Sequence, residues 1–213
     1  MRLNYFKKKY YQFARRLYGV GKLEFERQTS QMMFERGRIA AGTVFHAGAE
    51  INNLSGNPDK ILIGQHCQIA GMLLVYAYGG FIKMGDYCSL SPGARIVSTN
   101  KIEIGNRVLI AHNVNIIDNI SHPLDAALRH EDFIKSYTIG MQEYDLKSRE
   151  IIIEDDVWIG FNATIMKGVK IGRGAIIGSN SVVTKDIPAW TVNAGNPLRC
   201  IRELSPVEIN NLT

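Results

Sequence analysis

The chain has 213 residues, 46% of them hydrophobic and 21% charged, a balance suited to a globular domain with a sizeable core. No run of 18 apolar residues occurs, which argues against a transmembrane helix. The net charge of +5 favours acidic partners, and the three cysteines, Cys67, Cys88 and Cys200, stand at no metal-ligand spacing, so reduced thiols and no metal requirement are expected.

Residues 1–36 carry no repeat. Tyr5, Phe6, Tyr10, Phe13, Leu17 and Val20 fall on one face of a predicted helix among lysines and arginines. Such a face suits a cap over the unit that follows, and its basic rim also suits peripheral contact with an anionic membrane surface. The segment lacks the apolar run and small-residue cleavage site of a signal peptide, so a cytoplasmic protein is expected, in keeping with reduced cysteines.

Residues 37–203 are organised by a period of six. Its clearest stretch runs through Ile153, Ile159, Ile165, Ile171, Ile177 and Val183, with a second column four residues after each: Val157, Ala163, Val169, Ala175, Ser181 and Ile187. The same frame appears earlier, with interruptions. Ile63, Ile69 and Val75 make one run, with Cys67 and Leu73 in the second column; Met84, Leu90 and Ile96 make another; Ile104, Ile110 and Ile116 a third. A period of six fits neither a helix nor a simple two-faced strand. It fits one short strand plus one turn, so that three such units close a triangular coil and successive coils stack backbone to backbone. The fold class predicted is an all-β parallel β-helix, with glycine and polar residues at corners that need positive φ. The period does not set the handedness of the coil.

Gly79–Gly80 and Ser98–Asn100 read as loops that interrupt the frame, and residues 119–149 leave it altogether. An insertion of that length, polar and charged, is usually functional or disordered. Residues 151–188 return to regular coils, and from 189 the solenoid closes. Residues 204–213 form a tail in which Ser205 is placed to cap a short helix.

The motifs VWIG at 157–160, GSNSVVTKDIP at 178–188 and AGNPLRCIR at 194–202 resemble the C-terminal half of the hexapeptide-repeat acyltransferases. Within that superfamily the likeness is nearest to the galactoside, maltose, nodulation-factor and polysaccharide O-acetyltransferases. It extends over roughly residues 60–203. The resemblance implies a left-handed coil, a homotrimer with clefts between subunits, acetyl-CoA as donor and a saccharide hydroxyl as acceptor.

Carried onto this sequence, the resemblance assigns catalysis to His122, in SHPLDAALR, with Arg129 as the arginine that follows the His-Pro pair. The chemistry agrees, since a hydroxyl attacking a thioester must lose a proton and an imidazole titrates near ~6.5. His112 is the rival, at a corner of its coil; His130 lacks the motif, and His46 and His66 read as structural. Asp118 and Asn119, just before the histidine, are candidates to orient it or to bind the acceptor. The matching motifs place Lys185, Arg199 and Arg202 at the phosphate end of CoA. The pantetheine arm would lie along backbone near Gly160, Ser179 and Thr184, with Trp158 as an apolar wall. Trp158 sits between inward-facing Val157 and Ile159 and should point outward. The long insertion suits a larger acceptor such as a polysaccharide precursor. An amino sugar or xenobiotic acceptor, and a non-catalytic trimeric scaffold, are the competing readings. The scattered basic residues form no nucleic-acid module.

Overall fold

The computed structural model describes residues 32–205 and 208; the helical face expected over residues 5–20 lies outside them. Residues 32–36 are helical and place Met33 in the core. The chain then winds as a three-sided solenoid. From Arg38–Ile39 to Val182–Val183 the strands pair in parallel with those three places away, so consecutive strands go to three different sheets. The first sheet stacks Arg38–Ile39, Ile61–Ile63, Ile82–Met84, Ile102–Ile104, Ile151–Ile153 and Lys170–Ile171. The second ends in an antiparallel pair, Thr191–Ala194 with Arg199–Glu203, which closes the C-terminal edge.

The hexad columns are the core. Ile104, Ile153 and Ile171 are in register on the first sheet, and Ile110, Ile159 and Ile177 on the second. Ile116, Ile165 and Val183 complete the third, and all nine are buried. The second column is equally buried, down to Ser181.

One run departs from the expected frame. Leu73, not Val75, takes the place in register with Ile96, and Val75 stands opposite Ser98. The corner at Ala70–Gly71 is two residues shorter than its counterpart at 91–94, because Ile69 and Leu73 occupy the places of Leu90 and Ile96. Gly71 permits the tight turn: a Cβ there would lie 2.5 Å from the Ala94 carbonyl oxygen.

Corners are satisfied by short polar side chains. Asn113, Asn162 and Asn180 all hold φ near 58°, a left-handed conformation that asparagine tolerates better than most residues. At another corner, side chains of one coil accept from backbone amides of the coil before. Asp86 takes Gln65 N–H at 2.8 Å, Asn106 takes Asp86 N–H at 2.9 Å, and Asp155 takes Asn106 N–H at 2.8 Å.

The insertion leaves after Ile117 and returns at Ile151. It is not a bare polar loop as its composition implied, because Ala126–Thr138 forms an α-helix. Asp125 caps it by accepting the Leu128 N–H at 2.9 Å, and the first two turns hold no glycine, proline or β-branched residue. None of the helix residues is buried. The returning segment is sealed to the solenoid at buried Leu146, whose carbonyl accepts the Ile120 N–H at 3.2 Å.

Three coils are tied at one corner by Asp156. Arg107 meets it with Nε at 2.5 Å and Nη2 at 3.0 Å, and Arg173 Nε donates at 3.0 Å. The Arg107 hydrogen bond, supported by Arg173, holds the Asp156 carboxyl below its usual range. A depressed folded-state pKa contributes stability above the ordinary carboxylate value of ~3.9 and loses it as pH falls through the folded value. Asp156→Asn is expected to cost about 1 kcal/mol at neutral pH in urea unfolding, given half-exposed arginine partners. The gap between variant and parent should narrow toward zero as the pH drops from about 5 to about 3; a gap independent of pH would remove the ion pair as its source.

Candidate active site

His122 stands where the insertion leaves the third sheet. Buried Asn119 shapes the turn: its Oδ1 accepts the Ser121 N–H at 2.7 Å. The His122 N–H reaches back to the Ile120 carbonyl at 2.7 Å, and Pro123 is buried behind it. The ring itself is open, with the side chain 57% exposed. Its Nδ1 lies 2.9 Å from Asp132 Oδ2, and the Asp132 side chain is only 13% exposed.

That contact sets the tautomer. A carboxylate only accepts, so a neutral imidazole bonded to it must carry its proton on Nδ1. Nε2 then carries the free lone pair, in a ring that lines the cleft, which is an arrangement suited to a base with an orienting acid. Asp132 lies on the insertion helix, ten residues beyond the histidine.

Ring and carboxylate border a cleft of about 130 Å³ that is lined also by Tyr76, Tyr78 and Tyr144. Tyr76 and Tyr78 come from the loop after Met72–Val75 and have ring centroids 5.6 Å apart. Burial raises both phenols, Tyr78 to about 12 with help from Tyr76, Asp132 and Glu143. Among the described residues the Tyr144 hydroxyl is the one buried side-chain polar atom without a partner. Sequence reasoning missed Asp132 and the three tyrosines.

Other expected residues are placed differently. Asp118 does not face the cleft. It is fully buried, and its carboxylate accepts from Ser98 Oγ at 2.7 Å and from the Thr99 and Asn100 amides at 2.9 Å. Asn119 donates to it at 3.1 Å. Both residues shape the loop and do not meet an acceptor. Arg129 turns back onto backbone, donating to the carbonyls of Leu124 at 3.0 Å and Pro123 at 3.3 Å. His112 is exposed at a corner and shares no contact with His122. His46 bonds Gln68, and His66 stacks on Tyr87.

Trp158 does point outward and is 51% exposed. Cross-strand pairing sets it between Leu109 and Ile176, with Val192 next, so an apolar stripe runs up the second sheet toward the C-terminal coil. Thr184, Lys185 and Arg199 are exposed on that last coil, and the Val182 N–H bonds Gly195 O at 3.3 Å across it. This set fits a long thin donor with an anionic end. Gly160 offers no free amide, since its N–H is spent on Ile177 O at 2.8 Å. It is glycine because a Cβ would lie 2.7 Å from the Ser179 nitrogen. Ser179 is half-buried on the adjoining corner. Arg202 is engaged by Glu208 through two bonds of 2.9 and 2.7 Å, which pull the glutamate down to about 2.

A larger cleft of about 620 Å³ lies on the first sheet beside Arg38, Lys83 and Asp86, but no histidine, serine, cysteine or tyrosine lines it. Among the described residues no group of three His, Cys, Asp or Glu could hold a metal, and no helix is long and apolar enough to cross a membrane.

The repeat and the fold are matched among known proteins. The bacterial transferase hexapeptide (six repeats) family matches residues 150–185. Escherichia coli WbbJ, whose name provisionally gives it O-acetyl transfer in lipopolysaccharide biosynthesis, is 33% identical over 69% of this chain and 74% of its own length. The galactoside O-acetyltransferase of the same organism is 36% identical over 61% of this chain. The chain spans only 58% of that enzyme's length. Among solved structures, the N-acyltransferase AntD from Bacillus cereus, in complex with dTDP and 3-hydroxybutyryl-CoA, superposes with a TM-score of 0.64 at 18% identity. The match covers 85% of this chain and 92% of that one, a likeness of fold.

The tautomer can be read directly. Nitrogen-15 NMR of the ring should find neutral His122 protonated at Nδ1, and Asp132→Asn should shift it toward the Nε2–H form that free imidazole side chains favour. An Nε2–H ring in the parent protein would mean that the ring does not donate to Asp132.

Proposed function

The chain belongs to the hexapeptide-repeat acyltransferases, and on that premise we propose that it is an acetyl-CoA-dependent sugar O-acetyltransferase with His122 as general base. The observation that carries the reading is the 2.9 Å bond between His122 Nδ1 and Asp132, which leaves Nε2 free to take a proton. The acceptor is a hydroxyl of a cell-surface polysaccharide or its precursor, in line with what the name of WbbJ says of that relative. The coil is left-handed and the working unit a cytoplasmic homotrimer, with each His122 cleft closed by a neighbouring subunit.

Acetyl-CoA supplies an activated acyl group as a thioester. Trp158 and its apolar neighbours support the thin arm of the donor, and Lys185 and Arg199 meet its phosphates. Thr184 and Ser179 border the same path. Arg202 would join the phosphate-binding set only by exchanging Glu208 for phosphate. His122 Nε2 removes the proton as the acceptor oxygen attacks, and returns it to the departing sulfur. Asp132 holds the ring and stabilises its cationic form between those two transfers. Cys67 and Cys88 take no part as nucleophiles, because both are buried in the core column; Cys200 is exposed on the closing strand and lines neither cavity beside His122.

A thiol-release assay tests the roles separately. His122→Ala should lower kcat by about 10²–10⁴-fold, the usual worth of a general base, while calorimetry finds CoA affinity unchanged. Asp132→Asn should cost less, roughly 10–100-fold in kcat, with the KM for acetyl-CoA unchanged. Normal turnover in the His122 variant with both substrates saturating would sink the mechanism.

A further inference from the structure

The cleft beside His122 continues into a second cavity of about 260 Å³, with Tyr78, Tyr144 and Leu146 lining both. The charged residues that line the two are all acidic: Asp132 in the first, Glu143 and Asp145 in the second. No lysine or arginine lines either. Lys147 pairs with Asp145 at the second cavity and offsets that carboxylate, which leaves Asp132 and Glu143. Lys135 pairs with Glu131, and Arg129 with the Pro123 and Leu124 carbonyls. Burial is the main cause that raises the Tyr76 and Tyr78 phenols, and Asp132 adds to both.

The remaining surface suits a pyranose. Tyr76 and Tyr78 present aromatic rings tilted at 54° to each other, against which the C–H face of a sugar can pack. Tyr144 buries its hydroxyl without a partner, which costs free energy that a ligand hydroxyl would recover. An unpartnered buried hydroxyl on the wall of a cleft is a group that a substrate hydroxyl can satisfy.

We infer that this cleft selects a saccharide that is neutral or amino-bearing around the reacting hydroxyl, that it rejects carboxylated or phosphorylated sugars there, and that Tyr144 is its positioning hydrogen-bond partner. The inference rests on the acetyl-transfer reading, and it narrows the acceptor to a charge class. The repulsion comes chiefly from Asp132, whose side chain is mostly covered and so less screened by salt, with exposed Glu143 adding to it at the rim. The donor's phosphates would meet Lys185 and Arg199, neither of which lines the two acidic cavities.

The test uses the full chain, saturating acetyl-CoA and four glycosides of one aglycone: glucoside, galactoside, glucosaminide and glucuronide. The glucuronide should show kcat/KM at least about tenfold below the glucoside. Glu143→Gln should narrow that ratio by about threefold or more. Tyr144→Phe should lower kcat/KM for the glucoside by roughly tenfold while the KM for acetyl-CoA stays put. Equal use of glucuronide and glucoside, or a Tyr144→Phe enzyme as good as the parent, would overturn the inference. Absence of any His122-dependent thiol release would instead overturn acetyl transfer. In that event saturation-transfer NMR decides the selectivity separately: glucoside bound and glucuronide not bound upholds it, and any other pattern refutes it.

Discussion

Everything in this molecule depends on the backbone of each coil bonding the backbone of the next in strict register. Along one side the amides of Gln68, Ser89, Leu109 and Trp158 donate to the carbonyls of Cys88, Val108, Val157 and Ala175, at 2.9–3.0 Å each. Side chains alternate across a strand, so a slip of one residue would turn the whole inward column out to solvent. The ladder therefore fixes two surfaces together. It places Ile110, Ile159 and Ile177 in the interior, and it places Leu109, Trp158 and Ile176 in a matching row outside. A groove wall on the exterior comes from the same register that builds the core.

The ladder is also what permits the insertion. Leu109 and Trp158 are neighbours across 49 residues of chain, and the coil below meets the coil above as if nothing intervened. Loop closure costs grow only slowly with length, so a long excursion is tolerated where both ends are held. The ends are held well. Asp118 fastens the departing strand to Ser98, Thr99 and Asn100, and its own carbonyl accepts the returning Arg149 N–H at 2.9 Å. The two aspartates thus divide the work. The buried one anchors the loop, and Asp132, brought back by the helix, addresses the imidazole.

The core was legible because it obeys a period. Every aliphatic residue of the hexads from Ile153 to Val183 is buried, and the single frame error, at Val75, came from a shortened corner that leaves little trace in composition. The outward direction of Trp158 was legible for the same reason. The partner of His122 was not. Asp132 is one acid among several in a charged stretch, and only the helix turns it toward the ring. Tyr76 and Tyr78 belong to the coil before, so nothing along the chain links them to residue 122. The Gly160 N–H and the Arg202 side chain already have bonds, to Ile177 and to Glu208, that a motif does not display.

A base of this kind needs shelter, and one protomer gives it only in part. Asp132 is well covered, but the His122 ring is 57% exposed, and a proton held there would exchange with water. The insertion helix meanwhile buries none of its residues and leaves Phe133, Ile134 and Tyr137 exposed, with Ile139 and Met141 just beyond it. Isolated exposed apolar side chains are ordinary, but a run of five on one short segment beside the open His122 ring is the kind of surface that association covers. The trimer proposed for this protein would answer both needs at once. A neighbouring subunit seated at that segment would remove the apolar row from water and close the open side of the imidazole. On that proposal the exposure of His122 in a single protomer would follow from a site divided between subunits, with the acidic, tyrosine-lined half as each protomer's share.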